Sequence, residues 1–123
     1  MNLNLLLVDD SPAERELACE AVAEFATDIT LQVAGSPDEA MRVIADGFMP
    51  HLALVDLHLG AANGRDLVVR LLGTVRAVIL TTTDDPQERT RCLAAGACGF
   101  LVKPLRFDDF PGLLAKARAL ALG

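Results

Sequence analysis

The sequence predicts an α/β protein, a doubly wound parallel sheet with helices on both faces, and three observations carry that prediction. Four short runs are continuously apolar and each ends in a polar group: Leu5-Leu6-Leu7-Val8 before Asp9-Asp10, Leu52-Ala53-Leu54-Val55 before Asp56, Ala77-Val78-Ile79-Leu80 before Thr81, and Gly99-Phe100-Leu101-Val102 before Lys103-Pro104. Strands covered on both faces read as continuous apolar runs rather than alternating ones. Stretches with helical spacing separate these runs, so strand and helix alternate along the chain. The polar endings imply one site at one edge, because ligands of open α/β sheets bind outside the carboxyl ends of the strands.

Each element has its own local signal. The first strand leads into Ser11-Pro12-Ala13-Glu14, a capping box with proline at the first helical position. The helix that follows, 13–25, places Leu17, Ala21, Val22 and Phe25 on one face. A short strand is expected over 29–33. A second box, Ser36-Pro37-Asp38-Glu39, opens a helix through Met41, Val43 and Ile44 that stops near Gly47. Pro50 and His51 lead into the third strand, and His51 reads as a loop residue. Beyond Asp56, Gly60-Ala61-Ala62 reads as a small, flexible loop. Asn63 caps the next helix, with Leu67, Val68, Leu71 and Leu72 turned inward, and Gly73-Thr74 ends it. Asp85-Pro86-Gln87-Glu88 opens the fourth helix, which Gly96 closes as a left-handed cap. The last helix carries Leu113, Leu114, Ala117 and Leu120; with Asp108 as cap, Pro111 falls in the first turn, where its missing N–H costs nothing.

Composition narrows the function. The 123 residues form one domain (1–123), long enough to keep a core without staples. A hydrophobic content of 52% with 23% charged residues is globular. A net charge of −6 disfavours direct contact with nucleic acid. No apolar run reaches a membrane span, and no signal peptide is evident. Cys19, Cys92 and Cys98 lack metal-ligand spacing and read as reduced thiols of a cytoplasmic protein.

The candidate chemistry follows from the strand ends. If the first and third strands are neighbours, Asp9, Asp10 and Asp56 crowd together, and like charges about 5 Å apart repel by on the order of 1–3 kcal/mol per pair. Something positive must offset them. A hard divalent cation with oxygen ligands fits, and Mg²⁺ commonly takes one or two carboxylates while keeping waters for a phosphate. Lys103 supplies a fixed second charge and Thr81 a hydroxyl. Metal, lysine, hydroxyl and one carboxylate make a phosphoryl-transfer set in which an aspartate attacks phosphorus and becomes an acyl phosphate.

These residues also resemble, over essentially the whole chain, the receiver domain of two-component response regulators of the single-domain chemotaxis type. The matching positions are Asp9-Asp10, Asp56, Gly64, Thr81 and the run Ala94-Ala95-Gly96-Ala97-Cys98-Gly99-Phe100-Leu101-Val102-Lys103-Pro104. The resemblance implies a flavodoxin-like (βα)5 fold with strand order 2-1-3-4-5, which periodicity does not supply. It implies that Asp56 is the phospho-acceptor. Asp10 and Asp56 would bind Mg²⁺ directly, with the backbone carbonyl of His58 as a third ligand and Asp9 acting through water. Thr81 and Lys103 would bind the phosphoryl group, and Thr81 with Phe100 would form the switch, Phe100 rotating inward from a more exposed position. The Lys103–Pro104 bond is cis in many relatives.

The implied partners are a sensor histidine kinase or histidine phosphotransfer protein, and a downstream protein or second copy binding the fourth helix, fifth strand and fifth helix near Arg89, Phe100 and Phe107. No nucleic-acid or membrane partner is implied. The chain is then a signalling switch, either stand-alone or part of a longer regulator, with no output module after its fifth helix. Phosphorylation-independent docking is the main alternative. A true phosphohydrolase is a more distant one, since His58 stands where a second carboxylate would be needed. Plainer roles are available too: Phe100 as core, Thr81 as a strand end, the His58 side chain as an inessential exposed group, and Arg89 and Arg91 as a solvated helix face. Gly60, where proline is common, and the residues His58 and Thr83 bear on phosphate lifetime.

Overall fold

The structure, a computed structural model, describes residues 2–123. Strands β1 (Leu3–Val8), β2 (Ile29–Ala34), β3 (Leu52–Asp56), β4 (Ala77–Thr81) and β5 (Gly99–Val102) alternate with helices α1 (Pro12–Phe25), α2 (Pro37–Ala45), α3 (Gly64–Leu71), α4 (Pro86–Ala94) and α5 (Phe110–Leu122). The five strands pair in parallel in the order β2-β1-β3-β4-β5.

Alternation within each strand explains the apolar runs. Leu3, Leu5 and Leu7 of β1 join Leu52 and Leu54 of β3 and Val78 and Leu80 of β4 beneath α1 and α5. The intervening Leu6, Val8, Ala53, Val55, Ala77 and Ile79 pack beneath α2, α3 and α4. Successive side chains of a strand point to opposite faces, so the central stretches covered by helices on both sides are apolar at successive positions, whereas the edge strand β2 carries Thr30 and Gln32. Each large side chain removed from water contributes roughly 1.5–3 kcal/mol.

The caps hold at four helices. Ser11 Oγ accepts from Glu14 N–H, Ser36 Oγ from Glu39 N–H, Asn63 Oδ1 from Arg65 N–H and Asp85 Oδ1 from Gln87 N–H. The reciprocal half of the two boxes is displaced. Glu39 Oε2 accepts from Gly35 N–H, one residue early, and at α1 it is Asp9 Oδ1 that accepts from Ser11 N–H. Glu14 is thereby free to turn elsewhere. Gly96, at φ 110°, closes α4 as expected.

Several expectations change. Leu17, Phe25 and Leu72 are exposed rather than inward; α1 buries Ala18, Ala21 and Val22, and the Phe25 ring leans on Phe107, 5.1 Å between centroids. A 3₁₀ turn, Phe107–Asp109, precedes α5, so Asp109 and not Asp108 is its cap, without a side-chain bond; Pro111 still lies in the first turn. The segment after β3 is an ordered hairpin in which His58 pairs with Asn63 and Leu59 with Ala62. Gly60, at φ 63°, supplies the positive φ that a two-residue turn needs. All described peptide bonds are trans, Lys103–Pro104 included. His51 is a loop residue, but its Nδ1 accepts from Asn4 N–H at 2.9 Å and so fastens the entry to β3 onto β1.

Candidate functional site

Register brings the polar strand ends together. Val8 of β1 is paired with Val55 of β3, so Asp9 and Asp56 stand side by side at the carboxyl edge. Asp56 is paired with Leu80 of β4, one residue before Thr81, and Thr81 is paired with Val102 of β5, one residue before Lys103. Only the order with β3 between β1 and β4 places the four groups in one row.

Three of these polar groups are buried: Asp9 is 2% exposed, Asp56 6% and Thr81 3%. Burying two carboxylates is costly unless they are paired. Lys103 does this. Its Nζ donates to Asp56 Oδ2 at 2.9 Å, to Glu14 Oε2 at 3.0 Å and to Asp9 Oδ2 at 3.2 Å. Burial alone would lower the Lys103 pKa; hydrogen bonds to Asp56 and Glu14 and the charges of Asp56 and Asp9 outweigh it and raise it above the ordinary lysine value. The ion-pair stabilisation is therefore complete below the ordinary lysine pKa and is lost only as pH rises through the higher folded value. For Glu14, burial and the neighbouring Asp9 raise the pKa against the opposing pull of Lys103.

The second oxygens of the two buried acids are held by backbone. Asp9 Oδ1 accepts from Ser11 N–H and Asp56 Oδ1 from His58 N–H. Arg15 Nη1 donates to the Asp9 carbonyl at 2.7 Å, tying α1 to the end of β1. Asp10 is exposed, and a side chain at Gly60 would lie 3.7 Å from its Oδ2. The His58 side chain is exposed, as expected. Among the described residues, the three carboxylate oxygens near enough to share a cation are those of Asp9, Glu14 and Asp56, a set that includes Glu14 and not Asp10. Those three already surround the Lys103 ammonium. A divalent ion fits the donor chemistry nonetheless, since every candidate ligand is a hard oxygen and each held Oδ1 keeps a lone pair.

Phe100 does not start from the more exposed position expected of it. It is 5% exposed and already turned into the core beneath α4, with the Arg89 guanidinium 5.1 Å from its ring centroid. Arg89 is thus more than solvated surface: it covers Phe100 and donates to Asp84 at 2.8 Å. Sequence reasoning also passed over Glu14, because the capping box already explained it. The missing signal was tertiary, the approach of Lys103 from 89 residues away.

Removing Lys103 tests the electrostatics. Lys103→Ala leaves Asp9 and Asp56 buried without a cation, and the expected loss is about 3–5 kcal/mol in metal-free buffer. Urea midpoints with and without a divalent ion check this; the ion should recover more stability in the variant than in wild type.

A family model described as the response regulator receiver domain matches residues 5–115. A positive alginate biosynthesis regulatory protein of Pseudomonas aeruginosa is 30% identical over 94% of this chain and 47% of its own length. The chain thus spans about half the length of that relative. Among solved structures, a response regulator of Burkholderia pseudomallei, crystallised with a phosphorylated aspartic acid, calcium ion and citrate, superposes with a TM-score of 0.79 at 23% identity, over 98% of this chain and 69% of that one. The chemotaxis response regulator CheY4 of Vibrio cholerae gives 0.80 at 21% identity, over 95% and 99%.

Proposed function

The chain belongs to the response regulator receiver domain family, and from that premise we infer that Asp56 is the phospho-acceptor of a signalling switch. The observation that carries this reading is the Lys103 ammonium, held 2.9 Å from Asp56 Oδ2 at the carboxyl edge of the sheet. An Asp56 oxygen bonds to phosphorus as the donor's bond to phosphorus breaks, the electron pair leaving with the donor. Lys103 neutralises phosphoryl oxygens, and Thr81, at the next strand end, offers its hydroxyl to them. Asp9, Asp10, Asp56 and the His58 carbonyl would hold Mg²⁺, which supplies charge neutralisation at the phosphoryl oxygens when bound.

The donor is a sensor histidine kinase or a histidine phosphotransfer protein. Output passes through the face of α4, β5 and α5, where Leu93, Val102 and Leu105 are exposed apolar residues. A downstream protein, or a second copy once Asp56 is phosphorylated, is the partner for that face. Thr81 and Phe100 couple the two ends, with the Arg89 cover over Phe100 as the contact to be rearranged. The acidic charge speaks against nucleic acid, no described helix is long and apolar enough to cross a membrane, and the setting is the cytoplasm.

Incubation with Mg²⁺ and a small phosphodonor should add one phosphoryl group, read by intact mass and mapped to the peptide carrying Asp56. Its appearance on any other residue would refute the assignment. Mg²⁺ should also raise the melting temperature by mass action on the folded state. Asp10→Asn should reduce that rise by more than half, and an equal rise in both proteins would remove Asp10 from the ligand set.

A further inference from the structure

Lys103 has three ammonium protons, and three carboxylates accept them. The partners are not equivalent. The side chains of Asp9 and Asp56 are 3% and 9% exposed, whereas that of Glu14 is 46% exposed. Asp9 and Asp56 are each held by a backbone N–H through their other oxygen. Among the described residues, no backbone N–H donates to the Glu14 carboxylate, which is held by the Lys103 ammonium. Glu14 therefore stands on the solvent side of the ammonium and is the partner most easily displaced.

We propose that Glu14 is a gating carboxylate: it occupies the Lys103 proton that an incoming phosphoryl group needs, and its charge selects against small anionic phosphodonors. This rests on Asp56 being the phospho-acceptor. A phosphoryl oxygen reaching Nζ must displace one of its three acceptors, and the exposed one yields. Its carboxylate then remains within a few ångströms of the arriving anion, in a group where three acids already outnumber one ammonium. A protein donor can offset that charge with its own surface, but a small acyl phosphate cannot. Glu14 acts through Lys103 and is a positioning residue rather than a catalytic one.

With acetyl phosphate the step is balanced as follows. An Asp56 carboxylate oxygen bonds to phosphorus, the phosphorus–oxygen bond to acetate breaks, and the electron pair leaves on the acetate. The test titrates acetyl phosphate against the full chain and Glu14→Gln, each at a Mg²⁺ concentration shown to saturate that protein, with Asp56→Asn as the blank. The glutamine keeps the length of the side chain and the backbone N–H bond to Ser11. The half-saturating donor concentration should fall about three- to tenfold in Glu14→Gln, the size of one screened like-charge contact at about 5 Å, with the maximal rate little changed. Glu14→Asp, which keeps the charge, should stay near wild type. The gap between wild type and glutamine should close near ~1 M salt, where the screening length is about 3 Å. Equal half-saturation in the two proteins, or a gap that salt does not alter, overturns the role of Glu14 while leaving the acceptor reading intact. Absence of uptake in both proteins overturns the acceptor reading and the gate with it.

Discussion

Asp56→Asn should take up no phosphoryl group from any donor, because an amide oxygen does not attack phosphorus at a useful rate and no other described carboxylate is held as closely by Lys103. The fold should survive. Both oxygens of Asp56 are acceptors, Oδ2 from Lys103 and Oδ1 from His58 N–H. An asparagine can satisfy one of these donors and must turn its NH₂ towards the other, which costs on the order of 1–3 kcal/mol. Against that, one negative charge leaves a crowded acidic edge, a relief of on the order of 1–3 kcal/mol. That relief offsets only part of the unmet donor and of the lost Lys103–Asp56 ion pair, so a modestly lower urea midpoint in a folded protein should accompany a complete loss of uptake. Uptake at the wild-type level by a folded Asp56→Asn protein would place the acceptor elsewhere.

Gly64→Ala should be the most destabilising of the glycine-to-alanine changes for steric reasons. A Cβ at Gly64 would stand 2.2 Å from the Asp56 carbonyl oxygen, 3.0 Å from its carbon and 3.1 Å from Leu57 Cα. All three atoms are backbone, so no rotamer change relieves the overlap. The start of α3 would have to move away from the end of β3 and break the hydrogen bond from Gly64 N–H to the Leu57 carbonyl. A cost of about 3 kcal/mol or more is expected, at the upper end of overpacking effects. Denaturant unfolding measures the stability, and donor uptake should fall in parallel because Asp56 lies on the displaced backbone. A loss under about 1 kcal/mol would show that the α3 start yields more readily than the close approach implies.

The two kinds of result, one chemical and one steric, separate what was legible along the chain from what was not. Uninterrupted apolar runs such as Leu5-Leu6-Leu7-Val8 and Leu52-Ala53-Leu54-Val55 determined a sheet buried on both faces, because strand alternation leaves no polar position when both faces carry a core. Ser11, Ser36, Asn63 and Asp85 determined where helices begin, since each cap bond spans only two or three residues. The positions of Asp9, Asp56, Thr81 and Lys103 at strand ends were equally local. Their gathering was not: parallel strands joined by helices can be ordered in several ways, and the order β2-β1-β3-β4-β5 came from resemblance before the register displayed it.

Long-range packing decided the rest. Glu14 belongs to a capping box by spacing, yet the Lys103 ammonium offers its carboxylate a stronger partner than a backbone N–H, and Asp9 takes the vacated bond. Leu17 and Phe25 have helical spacing with the core face, but Ala18, Ala21 and Val22 fill that face and leave the two larger side chains at the margin. Phe100 and Arg89 are 11 residues apart and on different elements, so their stacking appears only once α4 lies over β5. Local chemistry is fixed by neighbours in the chain. Which acid a lysine meets, and which ring an arginine covers, is fixed by how the helices pack on the sheet.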